Sequence, residues 1–326
     1  NNTIANNNGS SNNWYGIFLG YSSNNIIANN TVSNNDDGIA LDSSSNNIIA
    51  NNNVSSNNGL GICLENSSNN TIANNNVSNN DDGIHLGYSS NNIIVDNTFL
   101  LNGMSVFDSY DNTVVNNTVN SKPLVYLENV NDYVVEDAGQ VIAINSNNIT
   151  IKDLNLSYAS VGIEFWKTSN SKIINNTASN NCYGIVLDSS SNNTIANNNV
   201  SSNNEGGIHL WDSSNNTIAN NNGSSNNWYG IFLGYSSNNT IANNTVSNND
   251  DGIFLYYSSN NTIANNTVSN NDDGIHLGYS NSNTIYLNNF IGNVDQVESY
   301  FSTNIWNSTI PITYTYNGKH FTNYLG

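Results

Sequence analysis

Pairs of adjacent aspartates are the feature of the sequence most able to do chemistry. Four pairs occur: Asp36-Asp37, Asp81-Asp82, Asp250-Asp251 and Asp272-Asp273. Carboxylate oxygens are the ligands that Ca²⁺ prefers, and the last two pairs are separated by one repeat of the chain. If consecutive repeats stack, a possible Ca²⁺ site consists of Asp250, Asp251, Asp272 and Asp273. The alternative is a solvated acidic turn, because aspartate before glycine also suits a turn.

Imidazole, thiol and thioether groups, which copper prefers, are few and scattered. The candidates are His85, His209, His276, His320, Met104, Cys63 and Cys182. Because no two of them have the spacing of a ligand pair, the sequence predicts no copper site. No cofactor is expected to be required, with Ca²⁺ as a possible exception. The two cysteines would lie several repeats apart in a stack, beyond disulfide reach, so both are expected to be free thiols.

Carboxylate pairs also catalyse glycoside hydrolysis, where one acts as acid and the other as base or nucleophile. An active site is normally a single constellation, whereas these aspartates recur with the repeat. The chain also contains no arginine. The sequence therefore predicts that the protein is not an enzyme, and a carbohydrate-active lyase, hydrolase or epimerase is the alternative.

The elements that position these residues are copies of one repeat. Its Gly-Ile-x-Leu phrase begins at glycines 22 or 23 residues apart within each regular stretch. A fixed period of this size is typical of a solenoid. Apolar residues alternate with period two, which indicates short strands, and no 3.6-residue stripe indicates a helix. The sequence predicts an all-β, single-stranded parallel β-helix of about 14 coils, rising ~4.8 Å per coil.

Asparagine dominates the segments between these strands. Its amide offers both donors and an acceptor, and it tolerates left-handed backbone angles at corners. We expect inward asparagines to bond to one another from coil to coil.

The β-helix is predicted to occupy residues 1–287, with irregular coils at about 95–172. A capping segment is predicted at 288–326, with a β-hairpin at 312–325. Its turn would be Asn317-Gly318, the preferred pair for a two-residue hairpin. Because the chain begins inside a repeat, it is interpreted as a processed or truncated piece.

Aromatic residues recur at positions that a β-helix would point outward. The predicted binding face consists of Trp211, Phe232, Tyr235, Phe254, Tyr256, Tyr257 and Tyr279. Exposed aromatic rows bind sugars or another protein surface, but cross-strand ring pairs can also merely stiffen a sheet. The sequence leaves these interpretations open.

The formal charge of −19 excludes a nucleic-acid partner, which requires a basic face. No apolar stretch has the ~20 residues of a membrane span. Glycosylation sequons are frequent in so asparagine-rich a chain, and Asn148 and Asn307 are the preferred candidates.

Several motifs resemble those of NosD-like proteins, many of which are archaeal. They are Asn-Asn-Thr-Ile-Ala-Asn-Asn, Asn-Asp-Asp-Gly-Ile-x-Leu, the segments 122–130 and 137–142, and the tail 304–318. The resemblance implies a right-handed β-helix on exported or cell-surface proteins. The family that the chain resembles has a copper-related name, and its wider clan includes sugar-binding and sugar-cleaving proteins.

These observations favour a non-catalytic extracellular or cell-surface scaffold. Its aromatic and acidic columns would serve self-association, in end-to-end filaments, a surface layer or lateral contacts, or would bind cell-surface glycans.

Overall fold

The computed structural model describes residues 1–326, with the side chain of Tyr316 left out. It is a parallel β-solenoid of about 14 turns without helices, which confirms the predicted fold class. Among the described residues, no helix has the length and apolar character needed to cross a membrane.

The first block of the solenoid runs from β1 to β17, in coils of three short strands. These are β1 (Thr3–Ala5), β2 (Asn8–Ser10), β3 (Tyr15–Gly20), β4 (Ile26–Ala28), β5 (Thr31–Ser33), β6 (Asp37–Asp42), β7 (Ile48–Ala50), β8 (Asn53–Ser55), β9 (Leu60–Glu65), β10 (Thr71–Ala73), β11 (Asn76–Ser78), β12 (Asp82–Gly87), β13 (Ile93–Val95), β14 (Thr98–Leu100), β15 (Met104–Phe107), β16 (Thr113–Val115) and β17 (Thr118–Val119).

The second block runs from β18 to β38. Its strands are β18 (Lys122–Glu128), β19 (Asn131–Val135), β20 (Gln140–Ile144), β21 (Asn147–Lys152), β22 (Val161–Trp166), β23 (Lys172–Ile174), β24 (Tyr183–Asp188), β25 (Thr194–Ala196), β26 (Gly206–Trp211), β27 (Thr217–Ala219), β28 (Asn222–Ser224), β29 (Tyr229–Gly234), β30 (Thr240–Ala242), β31 (Thr245–Ser247), β32 (Asp251–Tyr256), β33 (Thr262–Ala264), β34 (Thr267–Ser269), β35 (Asp273–Gly278), β36 (Thr284–Tyr286), β37 (Asn289–Ile291) and β38 (Asp295–Tyr300).

Within each block, every strand pairs in parallel with its copy one coil away, and like residues stack. Ile231 pairs with Ile253, and Ile253 pairs with Ile275. All three isoleucines are fully buried. Each aliphatic side chain buried this way contributes roughly 1.5–3 kcal/mol before entropy is subtracted. The core is therefore a set of aliphatic columns along the inside of the solenoid.

Asparagine pairs at the corners divide two tasks between them. In one corner, Asn243 has a φ of 58° and Asn244 is 1% exposed. The Oδ1 of Asn244 accepts the backbone N–H of Asn221 at 2.9 Å, and its Nδ2 donates to the carbonyl of Ile218 at 2.9 Å. The backbone N–H of Asn244 donates in turn to Oδ1 of Asn266 at 2.9 Å. The first asparagine supplies the left-handed turn and the second links the coils, as predicted.

The recurring glycine of Gly-Ile-x-Leu lies where no side chain fits. A Cβ on Gly252 would lie 2.5 Å from the carbonyl oxygen of Gly274 and 2.7 Å from Cγ1 of Val268. The backbone at this corner therefore touches the valine of the same coil and the glycine of the next.

The two blocks meet where the chain reverses direction, a feature that the sequence did not predict. β17 pairs antiparallel with β18 through Asn120 and Ser121, whose φ angles are 50° and 68°. The 15-stranded sheet β2-β5-β8-β11-β14-β17-β18-β20-β22-β24-β26-β29-β32-β35-β38 thereby runs through both blocks.

Near this reversal, strands of the second block are buried on both faces. In β20, Val141 and Ala143 belong to the core of the second block. Their neighbours Ile142 and Ile144 belong to the core of the first block. The end of the first block is thus sealed by the outer face of the second.

Side chains of the second block also satisfy the free edge of β15. They accept three backbone N–H groups: Gly103 to Ser160 Oγ at 3.0 Å, Met104 to Gln140 Oε1 at 2.9 Å, and Val106 to Glu164 Oε1 at 3.2 Å. Because these groups are buried, leaving them unpaired would be costly, so this seam holds the two blocks together.

The solenoid continues beyond residue 287 through β37 and β38. The final hairpin comprises β39 (Ile312–Tyr316) and β40 (Lys319–Asn323), joined by Asn317 and Gly318 with φ angles of 51° and 72°. β40 is exposed throughout. Outside the hairpin, Ser308 and Leu325 exchange two hydrogen bonds, at 2.7 and 3.0 Å.

Candidate functional site

A concave site, called here the junction cleft, lies where the outer face of the first block meets that of the second. It is a cavity of about 290 Å³. From the first block it is lined by Asp82, His85, Ser105, Val106 and Phe107, and from the second by Val161, Glu164, Cys182, Tyr183, Val186 and His209. Because the blocks meet only once in the described chain, this combination of side chains is not repeated along the solenoid.

Glu164 forms the buried end of the cleft. It occupies the outward position of β22, where the next coils carry Val186 and His209, yet it is only 7% exposed. Burial raises the pKa of its carboxyl well above the ordinary value, the N–H of Val106 opposes this shift, and the nearby Asp82 carboxylate adds to it. Burial therefore favours the protonated, neutral form of the Glu164 carboxyl.

A hydrogen-bonded chain of polar groups forms the wall from the first block. Ser105 Oγ donates to Asp82 Oδ2 at 2.7 Å, and His85 Nδ1 lies 2.9 Å from the same Oγ. Since the hydroxyl proton of Ser105 points to Asp82, His85 donates to Ser105. The His85 Nε2 atom lies 3.5 Å from Glu65 Oε1. This wall therefore presents an oriented carboxylate at Asp82.

The opposite wall contains groups held in their neutral forms. Burial lowers the pKa of His209 to about 4, and its Nδ1 atom is buried without a hydrogen-bond partner. Burial, together with the Asp82 and Glu205 carboxylates, raises the pKa of Cys182 to about 12. A thiol with such a pKa is a poor nucleophile near neutral pH. Cys63, also free, is buried in the first block.

The pKa of Glu164 predicts a pH-dependent stability. Because the folded-state pKa is raised, the wild type should lose up to about 1.4 kcal/mol per pH unit as the pH rises from the ordinary glutamate pKa towards the folded-state pKa. Glu164→Gln keeps an oxygen for Val106 N–H but has no proton to lose. We expect its thermal stability relative to the wild type to increase between pH 5 and pH 8. Glu136→Gln, at an exposed position, is the control, and a pH-independent difference for Glu164→Gln would contradict the assignment.

The predicted binding face forms a continuous aromatic surface on the second block. Tyr235, Tyr257, Tyr279 and Phe301 stack in a row, here called the aromatic ladder. Their ring centroids are 5.2, 4.8 and 5.0 Å apart, with interplanar angles of 3°, 6° and 13°. Because each inner ring covers its neighbour's face, the ladder presents mainly ring edges to solvent. Stacked rings of this kind are suited to stiffening a sheet.

The other members of the predicted face lie beside the ladder. Phe232 is 5% exposed and packs against Phe254 at 5.3 Å. Tyr256 lies edge-on to Tyr257, and Trp211, which is 36% exposed, lies edge-on to Tyr235. Trp211 is therefore the member with the most open ring outside the ladder.

The predicted calcium residues are only partly brought together. Asp250 and Asp272 are exposed, whereas Asp251 and Asp273 place carboxylate oxygens within 4.8 Å of a ring nitrogen of His276. His276 Nδ1 lies 2.9 Å from Asp251 Oδ1. Burial, followed by the charges of Glu298 and Asp251, raises the pKa of Asp273 to about 6. The cluster formed is thus a mixed imidazole and carboxylate set.

The two sequon candidates are both exposed. The Asn148 amide donates to Asp132 Oδ1 at 2.6 Å, and the Asn307 amide donates to the carbonyl of Ser308 at 3.4 Å.

The fold and site define a parallel β-solenoid protein with a cleft at the junction of two coil stacks. The family model described as periplasmic copper-binding protein (NosD) matches residues 1–138 and 125–326. The chain belongs to this family, as the sequence motifs predicted.

Solved structures with similar folds come from functionally diverse proteins. The periplasmic alginate epimerase AlgG matches at 16% identity and a TM-score of 0.46, over 86% of this chain and 77% of AlgG. PfbA, a surface adhesin of Streptococcus pneumoniae, matches at 16% identity and a TM-score of 0.41, over 98% of this chain and 92% of PfbA. The Dettilon tailspike protein matches at 14% identity and a TM-score of 0.40, over 89% of this chain. The chain spans 60% of the tailspike structure. No curated protein sequence matches the chain.

The prediction that the chain is not an enzyme is corrected by these findings. Proteins of similar fold include enzymes, among them AlgG. The prediction rested on the periodicity of the aspartates, and the junction interrupts that periodicity. It places Asp82, a member of one repeated pair, beside the non-repeating Glu164.

The family description implies copper, and donor chemistry tests whether this chain could hold it. Met104 and Cys63 are buried within the first block, and among the described residues neither Cys63 nor Cys182 belongs to a cluster of three or more His, Cys, Asp or Glu side chains. The donors that do cluster are His276, Asp251 and Asp273. Nitrogen and carboxylate oxygen suit Cu²⁺, and the Nε2 atom of His276 is buried without a hydrogen-bond partner. By donor type these three residues fit Cu²⁺ better than Ca²⁺, which takes oxygen ligands.

Proposed function

We propose that this protein binds a glycan chain in the junction cleft. The observation that carries the proposal is the combination found there: buried, directional polar groups enclosed between aromatic side chains. Ligand sites are typically concave and mostly apolar, with a few precisely placed polar groups. The cavity of about 290 Å³ is at the small end for such sites. It would hold one sugar ring of a longer chain.

Aromatic rings lie on both sides of the cleft. On the first block, Phe107 is 45% exposed and lies edge-on to Tyr88, which is 52% exposed. The Phe107 ring also stacks with that of Trp166, with a centroid distance of 6.3 Å. On the second block, His209 stacks with Trp211 at 6.4 Å. Rings of this kind offer apolar faces to sugars while the polar groups between them hold hydroxyls.

Charge narrows the class of glycan. The net charge is −19, and Asp82 and Glu65 place further carboxylates at or beside the cleft. A protein of like charge repels a polyanionic ligand. Neutral polysaccharides, or those with amino sugars, are therefore favoured over polyuronates.

The family description as periplasmic supports a location outside the cytoplasm, in the periplasm or on the cell surface. A cell-wall or extracellular polysaccharide would be available to the cleft there.

Glycan binding can be measured by affinity electrophoresis against neutral, amino-sugar and acidic polysaccharides. We expect retardation by a neutral or amino-sugar polymer and about tenfold weaker binding for Phe107→Ala, since one aromatic stacking contact is lost. Tyr21→Ala, which removes an 85% exposed ring elsewhere on the first block, should bind like the wild type. Retardation by polyuronates alone, or by none of the polymers, would overturn the proposal.

Self-association is a second candidate, favoured by the end of the aromatic ladder. Phe301 is 75% exposed, and only one face of its ring is covered by Tyr279. The uncovered face could take a ring of a second copy. Sedimentation velocity should show a concentration-dependent dimer that Phe301→Ser abolishes, whereas a monomer at all concentrations would dismiss this candidate.

Metal binding at the His276 cluster gives a separate prediction. Cu²⁺ should raise the melting temperature, because a ligand at 100 times its Kd stabilises the folded state by about 2.7 kcal/mol. His276→Ala should remove the effect, whereas His320→Ala, in the exposed hairpin, should retain it. Ca²⁺ should raise the melting temperature much less than Cu²⁺ does. Stabilisation by Cu²⁺ that survives His276→Ala would contradict the assignment.

A further inference from the structure

We infer that Glu164 and Asp82 act together as proton donor and proton acceptor in the hydrolysis of a glycosidic bond held in the junction cleft. This inference rests on the proposed glycan binding and adds a reaction to it.

The two carboxyl groups reach one cavity from different blocks. Glu164 projects from β22, and Asp82 begins β12. Their surroundings differ: Glu164 is enclosed, whereas Asp82 is half-buried and accepts the hydroxyl proton of Ser105 at 2.7 Å. Two carboxyl groups held in different environments within one cavity are suited to opposite roles in acid–base catalysis.

The structural role of Glu164 does not explain why a carboxyl group stands at this position. It accepts the N–H of Val106, at 3.2 and 3.3 Å to its two oxygens. Gln140 does the same for Met104 N–H with a neutral amide, at 2.9 Å. An amide thus suffices to cap this strand edge, so the seam does not require a carboxyl at position 164.

An O–H group on Glu164 would have no hydrogen-bond acceptor within the described part of the protein. Among the described residues, Glu164 accepts hydrogen bonds but donates to no protein group. A ligand oxygen in the cavity is therefore an available acceptor for its O–H.

The proposed reaction uses only the glycan and water. Glu164 gives its proton to the glycosidic oxygen as the bond from that oxygen to the anomeric carbon breaks. A water oxygen forms the new bond to the anomeric carbon, and Asp82 takes the proton that the water loses. The products are two shorter sugar chains. Proton exchange with solvent returns both carboxyl groups to their starting forms, so no oxidant or reductant is needed.

The test compares binding and cleavage on the full chain with the polysaccharide that binds most tightly. New reducing ends are measured for the wild type, Glu164→Gln, Asp82→Asn and Glu136→Gln. We expect Glu164→Gln and Asp82→Asn each to lower the rate by at least about 100-fold, with binding and the circular dichroism spectrum retained. Glu136→Gln should cleave like the wild type.

The outcomes separate this inference from the proposed function. Binding by the wild type without new reducing ends would overturn hydrolysis and leave glycan binding intact. Cleavage by Glu164→Gln at the wild-type rate would overturn the role of Glu164. Failure of every polysaccharide to bind would overturn both.

Discussion

Replacing Asn244 by alanine is expected to lower the free energy of unfolding by about 2–6 kcal/mol. The substitution removes the acceptor of Asn221 N–H and the donor to the carbonyl of Ile218. Both groups are buried, and each unsatisfied buried group costs about 1–3 kcal/mol. The effect should exceed that of an ordinary surface substitution because one side-chain amide links three consecutive coils: its Nδ2 also donates to Oδ1 of Asn266 at 3.0 Å.

Urea denaturation followed by circular dichroism measures this loss. Thr245→Ala is the matched control, since Thr245 is the next residue but its side chain is exposed. It should change the free energy of unfolding by less than about 0.5 kcal/mol. If the two variants were equally stable, the buried amides would contribute little to holding the coils together.

Gly252→Ala is expected to destabilise the protein by about 3 kcal/mol or more, at the upper end for overpacking. The added Cβ would lie 2.5 Å from the carbonyl oxygen of Gly274 and 2.7 Å from Cγ1 of Val268. The oxygen belongs to the backbone of the next coil and cannot move without disturbing the ladder of hydrogen bonds. We expect a lower melting temperature and a lower yield of folded protein.

Gly87→Ala tests whether the lower stability of Gly252→Ala arises from the clash with rigid backbone. The three atoms nearest to its Cβ would all belong to the carboxylate end of the flexible Glu65 side chain, which can rotate away. The melting temperature of Gly87→Ala should remain close to that of the wild type. Equal losses for the two variants would indicate that alanine is disfavoured in these strands for reasons other than space.

The repeated parts of the fold could be predicted because each coil carries the same information. Ile253 lies over Ile231 and under Ile275, as the 22-residue spacing predicts. Local signals also sufficed for the hairpin turn at Asn317-Gly318, where both φ angles are positive.

The junction could not be predicted because it depends on contacts between distant segments. The reversal at Asn120 and Ser121 lacks the Asn-Gly pair that marks a tight hairpin. Glu164 occupies a position that faces outward in other coils, and only the end of the first block buries it. The one visible signal was the irregular spacing of this region, together with an acid at that position.

The aromatic and acidic columns could likewise be predicted only in part. Spacing correctly placed Tyr257 above Tyr235, but not the 3° angle between their rings, which decides how much ring face is free. Likewise, spacing paired Asp251 with Asp273, but the contribution of His276 came from its side-chain direction.

The reversal of the chain also bears on how this protein can change length in evolution. Residues 3–25 and 217–239 are identical, which indicates recent duplication of coils. Each block has one extremity remote from the cleft, so gain or loss of a whole repeat there leaves the cleft's geometry untouched. Homologues can therefore vary in length by whole coils while inheriting the same chemical centre, and the coils beside the reversal should tolerate no such insertion.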